Sequence, residues 1–252
     1  MATFDRERRE IVLRIVYDGA ATAGKTANLQ SLRACFGLRA RGEVYAPAET
    51  ATGRTLYFDS LELATGNLDE WSLRCQVLTV PGQFALAERR YQLLRGIDAA
   101  VVVCESTPRG VQAARSAWSF LSSALASLGG GPVPVVIQAN KQDLPGALSP
   151  AQVEAMLVDG RSLQVLPASA IHGDGVRATF LAALDAARRV TRERMGAAGP
   201  EALGPPLESA EKLYEAMVRE EEGTGDPGAA CALDGALALV QMGETPRPPP
   251  HR

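Results

Sequence analysis

Lysine is almost missing from this chain: 26 of its 252 residues are Lys or Arg, but only Lys25, Lys141 and Lys212 are lysine. In a background that writes arginine wherever either cation serves, a retained lysine points to a place that needs a compact ammonium rather than a planar fork. Net charge is also small, at −3, so there is no chain-wide basic field of the kind that draws nucleic acid or an anionic membrane surface. No run approaches the roughly 20 apolar residues that span a bilayer. The opening stretch MATFDRERREIVLRIVYDG reaches Asp18 without a small-residue cleavage site, which argues against export, and no prenylation-type terminus is present. The four cysteines, Cys35, Cys75, Cys104 and Cys231, lack metal-ligand spacing and read as reduced thiols in a cytosol. Of the two histidines, His172 reads as a loop residue rather than a catalyst.

What is present is 46% apolar and 22% charged residues, the composition of one folded domain with an extension rather than of a two-domain enzyme. Strand and helix patterns alternate from the start, the signature of an α/β fold with a mostly parallel sheet and helices on both faces. Ile11 to Tyr17, Ala99 to Cys104 and Val133 to Ala139 are apolar, β-branched strands of the kind buried on both faces. Leu56 to Leu63 and Leu73 to Val80 are two further extended runs, with Thr65-Gly66-Asn67 as the expected hairpin turn. Helices are expected from Thr26 to Phe36, from Val111 to Leu128, after Ser149-Pro150 and from Val176 to about Met195, with a strand at Leu163 to Leu166.

Composition changes beyond Gly196. The last 57 residues hold eight of the sixteen prolines and ten of the 29 acids against four basic residues, a net −6 that leaves +3 on residues 1–195. Two regions are therefore expected: a domain over 1–195 and an acidic, Pro/Gly-rich extension over 196–252. Within the extension, Leu207, Ala210, Leu213, Tyr214, Met217 and Val218 recur at helical spacing, which predicts an amphipathic helix near 207–222. Residues 223–252 have the composition of a disordered segment.

The chemistry sits in two short motifs. Gly19-Ala20-Ala21-Thr22-Ala23-Gly24-Lys25-Thr26 matches GxxxxGK[ST], after a strand and opening a helix, with Ala27 next in that helix. Phosphate oxygens need several backbone N–H donors converging on one point, and such a loop with a helix N-terminus supplies them. Lys25 would reach the β- and γ-phosphates and the Thr26 hydroxyl would bind Mg²⁺. Ala21 and Thr22 put a methyl and a β-branched side chain where many such loops have glycine. Asn140-Lys141-Gln142-Asp143 follows the strand ending at Ala139. Guanine presents N1–H and an exocyclic amine as adjacent donors, and one carboxylate, Asp143, accepts both. Lys141 can lay its stem against the base, Asn140 can tie this loop to the phosphate loop, and Ser169 and Ala170 can offer N–H groups to the guanine O6. Between the two motifs, Thr79-Val80-Pro81-Gly82-Gln83 follows a strand; Gly82 can meet the γ-phosphate and Gln83 can orient the attacking water. Upstream, Thr50, Thr52 and Thr55 all stand in a polar loop where one threonine would complete the Mg²⁺ shell, and local chemistry does not choose among them.

Together these residues resemble the bacterial MglA-type small GTPases, polarity regulators of the Ras-like superfamily. The resemblance runs from about Arg9 to Arg194. Its more specific parts are ETATGRTLYFDSLEL (Glu49 to Leu63), TVPGQ (Thr79 to Gln83), LRGIDAAVVV (Leu94 to Val103) and VIQANKQDLP (Val136 to Pro145). It implies a Ras-like G domain that binds GTP or GDP with Mg²⁺, with Arg54 as an intrinsic arginine finger and Thr55 as the switch threonine on Mg²⁺. It further implies that Asp59 organises the metal site indirectly in place of the acid that Thr79 replaces. The family's partner is a dimeric roadblock-type, MglB-like activator. Ala21 replaces a glycine usual in the family, and the extension after Gly196 has no counterpart in its short members.

The expected function is a cytoplasmic switch that hydrolyses GTP through Lys25, Arg54 and Gln83, slowly without an activator, and regulates polarity or motility through its switch loops, with recruitment to a cell pole or membrane through partners. The alternative is a GTP-binding scaffold that does not hydrolyse, motivated by the Ala21-Thr22 loop. A P-loop kinase or ATPase has only the phosphate loop in its favour, and Asp143 argues against it.

Overall fold

The computed structural model describes residues 1–37, 40–46, 58–81, 87–129, 131–158, 163–205 and 209–223. Strand β1 spans Thr3–Asp5 and β2 spans Glu10–Gly19, followed by α1 (Lys25–Cys35), β3 (Asp59–Leu68), β4 (Trp71–Thr79) and α2 (Ala87–Leu94). The chain continues through β5 (Ala99–Glu105), α3 (Pro108–Leu128), β6 (Val135–Asn140), α4 (Pro150–Leu157), β7 (Gln164–Pro167), α5 (Val176–Ala198) and α6 (Ala210–Gly223). One sheet runs in the order β3-β4-β2-β5-β6-β7. Pairing is parallel from β4 through β2, β5, β6 and β7, while β3 joins β4 antiparallel and β1 joins the start of β2 antiparallel.

The alternation of side chains along a strand divides the core into two layers. Ile11, Leu13, Ile15 and Tyr17 of β2 and Ala99, Val101 and Val103 of β5 pack with Leu29 and Leu32 of α1 and Phe180, Ala183 and Leu184 of α5. Val16, Ala100, Val102 and Cys104 face the other way, against Leu93 and Leu94 of α2 and Val111, Ala114 and Leu121 of α3. Ala210 and Met217 of α6 are buried on this second side. Both faces of the central strands are thus covered, which is why they read as unbroken apolar runs.

The α/β class and the mostly parallel sheet are as the sequence led one to expect. The hairpin turn is not. Asn67 pairs with Ser72 and Leu68 with Trp71, so the turn is Asp69-Glu70, and Thr65-Gly66 forms an irregularity within β3. Asp69 takes a positive φ of 54°, a conformation a short acid tolerates, and Arg192 of α5 pairs with its carboxylate at 2.8 Å.

Two of the helices start with side-chain caps. Thr107 caps α3 by accepting from the Gly110 N–H at 3.0 Å, and Ser149 and Gln152 form a reciprocal capping box on α4. The start of α1 has no side-chain cap, which leaves its first N–H groups directed at whatever sits before it. Among the described residues, no helix is long and apolar enough to cross a membrane.

A polar cluster crosses the core. Asn28 of α1 and Gln138 of β6 exchange side-chain amide hydrogen bonds at 2.8 and 2.9 Å, and Gln138 also donates to Thr179 Oγ1 of α5 at 3.1 Å. All three are fully buried. Gln138→Leu removes partners from buried polar groups on both helices, and a loss of about 2 kcal/mol is expected, read as a lower urea midpoint with unchanged slope.

Candidate functional site

β2 ends at Gly19, and the chain reverses into α1 through residues 20–24. Gly24 sits at φ 103° as the residue before the helix, and a Cβ there would fall on the Asn140 side-chain nitrogen. Only glycine fits both the conformation and the contact. Thr22 takes a positive φ of 65°, a conformation rare for a β-branched residue, and its side chain is exposed, as is that of Ala21. Lys25 folds back over the loop, its Nζ donating to the Gly19 carbonyl at 2.9 Å and the Ala20 carbonyl at 2.8 Å. Burial pulls its ammonium down to about 8, opposed by the Asp18 and Asp59 carboxylates and aided by the Arg90 guanidinium. A buried ammonium held by two carbonyls beside uncapped helix N–H groups is a place for polyanionic oxygens.

The neighbouring oxygens belong to Thr26, Asp59 and Thr79. Thr26 Oγ1 donates to Asp59 Oδ2 at 2.7 Å, and Thr79 Oγ1 donates to the same oxygen at 2.9 Å. Register explains the meeting, because Asp59 and Thr79 are direct partners across β3 and β4. The Asp59 carboxylate of β3 therefore lies between position 79 of β4 and the Thr26 hydroxyl of α1. Asp59 and Thr79 are both buried. Hard hydroxyl and carboxylate oxygens are the donor set that suits Mg²⁺, and these residues fit such an ion. Thr50, Thr52, Arg54, Thr55, Gly82 and Gln83 lie outside the described residues.

The end of β6 forms the other half. Asn140, buried, donates from its side chain to the Ala23 carbonyl at 2.8 Å and accepts from the Ala170 N–H at 2.9 Å. One amide thereby fastens the loop before α1, the end of β6 and the loop after β7. Lys141 takes a φ of 65° and pairs with Glu105 at the end of β5 at 2.5 Å. That hydrogen bond, with a second from the Thr107 hydroxyl, holds the Glu105 carboxyl below its usual range. Asp143 is solvent-exposed, and the Ser169 hydroxyl donates to it at 2.5 Å, which lowers its carboxyl as well. The two halves therefore meet along one edge of the sheet: Gly19 to Ala27 on one side, Asn140, Lys141, Asp143, Ser169 and Ala170 on the other.

Three residues here escaped the reading of the sequence. Glu105 stands at the end of an apolar strand without a motif around it. Asp18, fully buried, accepts from the Gly19 N–H at 2.6 Å, and Arg90 of α2 donates to both of its oxygens at 2.8 and 3.0 Å. A lone acid closing an apolar strand was a visible signal for Asp18; nothing in AERRYQLL marks Arg90.

No family model matches this chain. The mutual gliding-motility protein MglA of Myxococcus xanthus (strain DK1622) is 34% identical to it over 184 residues, which cover 72% of this chain and 93% of that protein.

Asn140→Ala removes the shared fastening of both loops. Stability is expected to fall by about 2 kcal/mol, and the Ala170 amide, which that side chain protects, should exchange its hydrogen faster while amides in β5 do not.

Proposed function

Since the chain belongs to the MglA-type small GTPases, we propose that it binds GTP and GDP with Mg²⁺ and hydrolyses GTP as a switch serving cell polarity or gliding motility. The observation that best supports this reading is the Asn140 side chain, which joins the Ala23 loop to the Ala170 loop. A nucleotide has a phosphate end and a base end, and one residue sets the distance between the cradles for both.

In this reading Gly19, Ala20, Ala21, Thr22, Ala23, Gly24, Lys25, Thr26 and Ala27 receive the phosphates through backbone N–H groups and the Lys25 ammonium. Asp143 accepts both donors of the guanine edge, Lys141 lies against the base, and Ser169 and Ala170 meet its O6. The ion pair of Lys141 with Glu105 supports this role. Thr26 and Thr55 would hold Mg²⁺, with Asp59 organising the site through the Thr26 hydroxyl. A bound ion would supply positive charge that offsets the charge of the phosphates. Gln83 orients water for in-line attack, Gly82 senses the γ-phosphate, and Lys25 and Arg54 offset the charge that develops on the transferring group.

Residues 1–195 act as the GTPase domain and 196–252 as an acidic extension. Switch-loop partners of the roadblock type raise the turnover, and localisation is cytoplasmic, with recruitment to a pole or membrane through those partners.

Binding of fluorescent guanine nucleotides and single-turnover hydrolysis test the reading directly. Asp143→Ala is expected to weaken GDP binding about 10- to 150-fold, the worth of hydrogen bonds to a charged group, without improving ATP. Gln83→Leu and Arg54→Ala should each slow hydrolysis, Arg54→Ala by up to about 10³, while leaving GDP affinity nearly unchanged. Protein that binds GTP and keeps it intact, alone and with an activator, would favour the scaffold reading instead.

A further inference from the structure

A charge pair lies at the root of the phosphate loop that neither the GTPase reading nor any motif accounts for. Asp18 is the residue before Gly19 and is entirely buried; Arg90, on α2, is 2% exposed. One Arg90 nitrogen straddles both Asp18 oxygens at 2.8 and 3.0 Å, and the guanidinium lies 4.3 Å from the centre of the Phe120 ring on α3. Among the described residues, Arg90 Nε has no hydrogen-bond partner. Asp18 Oδ1 also takes the Gly19 N–H, and the Gly19 carbonyl in turn takes Lys25 Nζ. A continuous line of contacts therefore runs from α2 through Arg90, Asp18 and Gly19 to the lysine.

Burying two charges is costly, and a hydrophobic pair of like volume often serves stability as well or better. What a hydrophobic pair cannot do is set the electrostatic potential one residue from a loop built to receive several phosphate charges. An unpaired carboxylate there would repel the phosphates and compete with them for Lys25. An unpaired guanidinium there would attract them.

We propose that Arg90 is a positioning residue for the phosphate loop, neutralising Asp18 and holding Gly19 and Lys25 in the arrangement that takes an anion. This rests on the reading of Gly19–Thr26 as a nucleotide phosphate loop. The two partners then have opposite effects on nucleotide affinity, although each is expected to lower stability when removed alone. A pair that served only the fold would lower affinity in both variants.

The experiment compares the full chain with R90M, D18N and the doubly neutral D18N/R90M, measuring N-methylanthraniloyl-GDP affinity in Mg²⁺ beside thermal unfolding. R90M is expected to bind about tenfold more weakly than the parent, the equivalent of one pKa unit of interaction. D18N is expected to bind as tightly as the parent or more so, and D18N/R90M to lie between the two singles. Should R90M not fold, D18N/R90M against the parent carries the test, since the double variant removes both the cation and the carboxylate it neutralises: affinity within about threefold of the parent supports the proposal. Weakening of the double variant by about tenfold or more, or weakening in D18N as large as in R90M, overturns it. A parent chain that binds no guanine nucleotide overturns instead the phosphate-loop reading beneath it.

Discussion

Parallel pairing of β2, β5 and β6 is the constraint on which the site depends. Parallel neighbours point their C-terminal ends the same way, so the residues that follow each strand emerge along one sheet edge. Gly19 stands in register with Val103 of β5, and Glu105 with Asn140 of β6. Loop 20–24, the Glu105–Lys141 pair and the Asn140 side chain are brought together by strand order, before any side chain makes a choice. The same order leaves the opposite ends of the strands to ordinary packing, where the N-terminus meets Asp98 at 3.7 Å. Open α/β sheets hold ligands at the carboxyl ends of their strands, and here both candidate motifs fall there.

The parts of this arrangement that are local in sequence were legible, and the parts that depend on register were not. GAATAGKT and NKQD each hold their residues within eight positions, so the loop geometry they require is written in adjacent residues. The strands announced themselves because burial on both faces demands an unbroken apolar run. Thr79 was visible as a missing acid, but that its hydroxyl would rest on Asp59 follows from a pairing of strands twenty residues apart. The turn at Asp69-Glu70 was misplaced to Thr65-Gly66-Asn67 because glycine in a strand can mark either a turn or a bulge. Asn28, Gln138 and Thr179 are far apart in the chain and meet only after α1, β6 and α5 have packed, so no spacing rule could have joined them.

The scarcity of lysine acquires a physical meaning once the cations are placed. Arg90 serves where a flat cation is wanted: one nitrogen spans two carboxylate oxygens while the guanidinium carbon lies over the Phe120 ring, and a guanidinium sheds water more readily than an ammonium. Arg74 likewise divides itself between Glu10 and Glu62 on neighbouring strands. Position 25 asks for the reverse. Its nitrogen must donate to two carbonyls of a loop that turns around it and leave room in front for oxygens, which a compact ammonium on a flexible stem allows and a rigid fork does not. Position 141 combines a point contact to Glu105 with an apolar stem long enough to lie along a flat ring. Replacement of lysine by arginine elsewhere in the chain alters little, because surface ion pairs contribute little to stability. At these two positions the substitution would change the number and direction of donors.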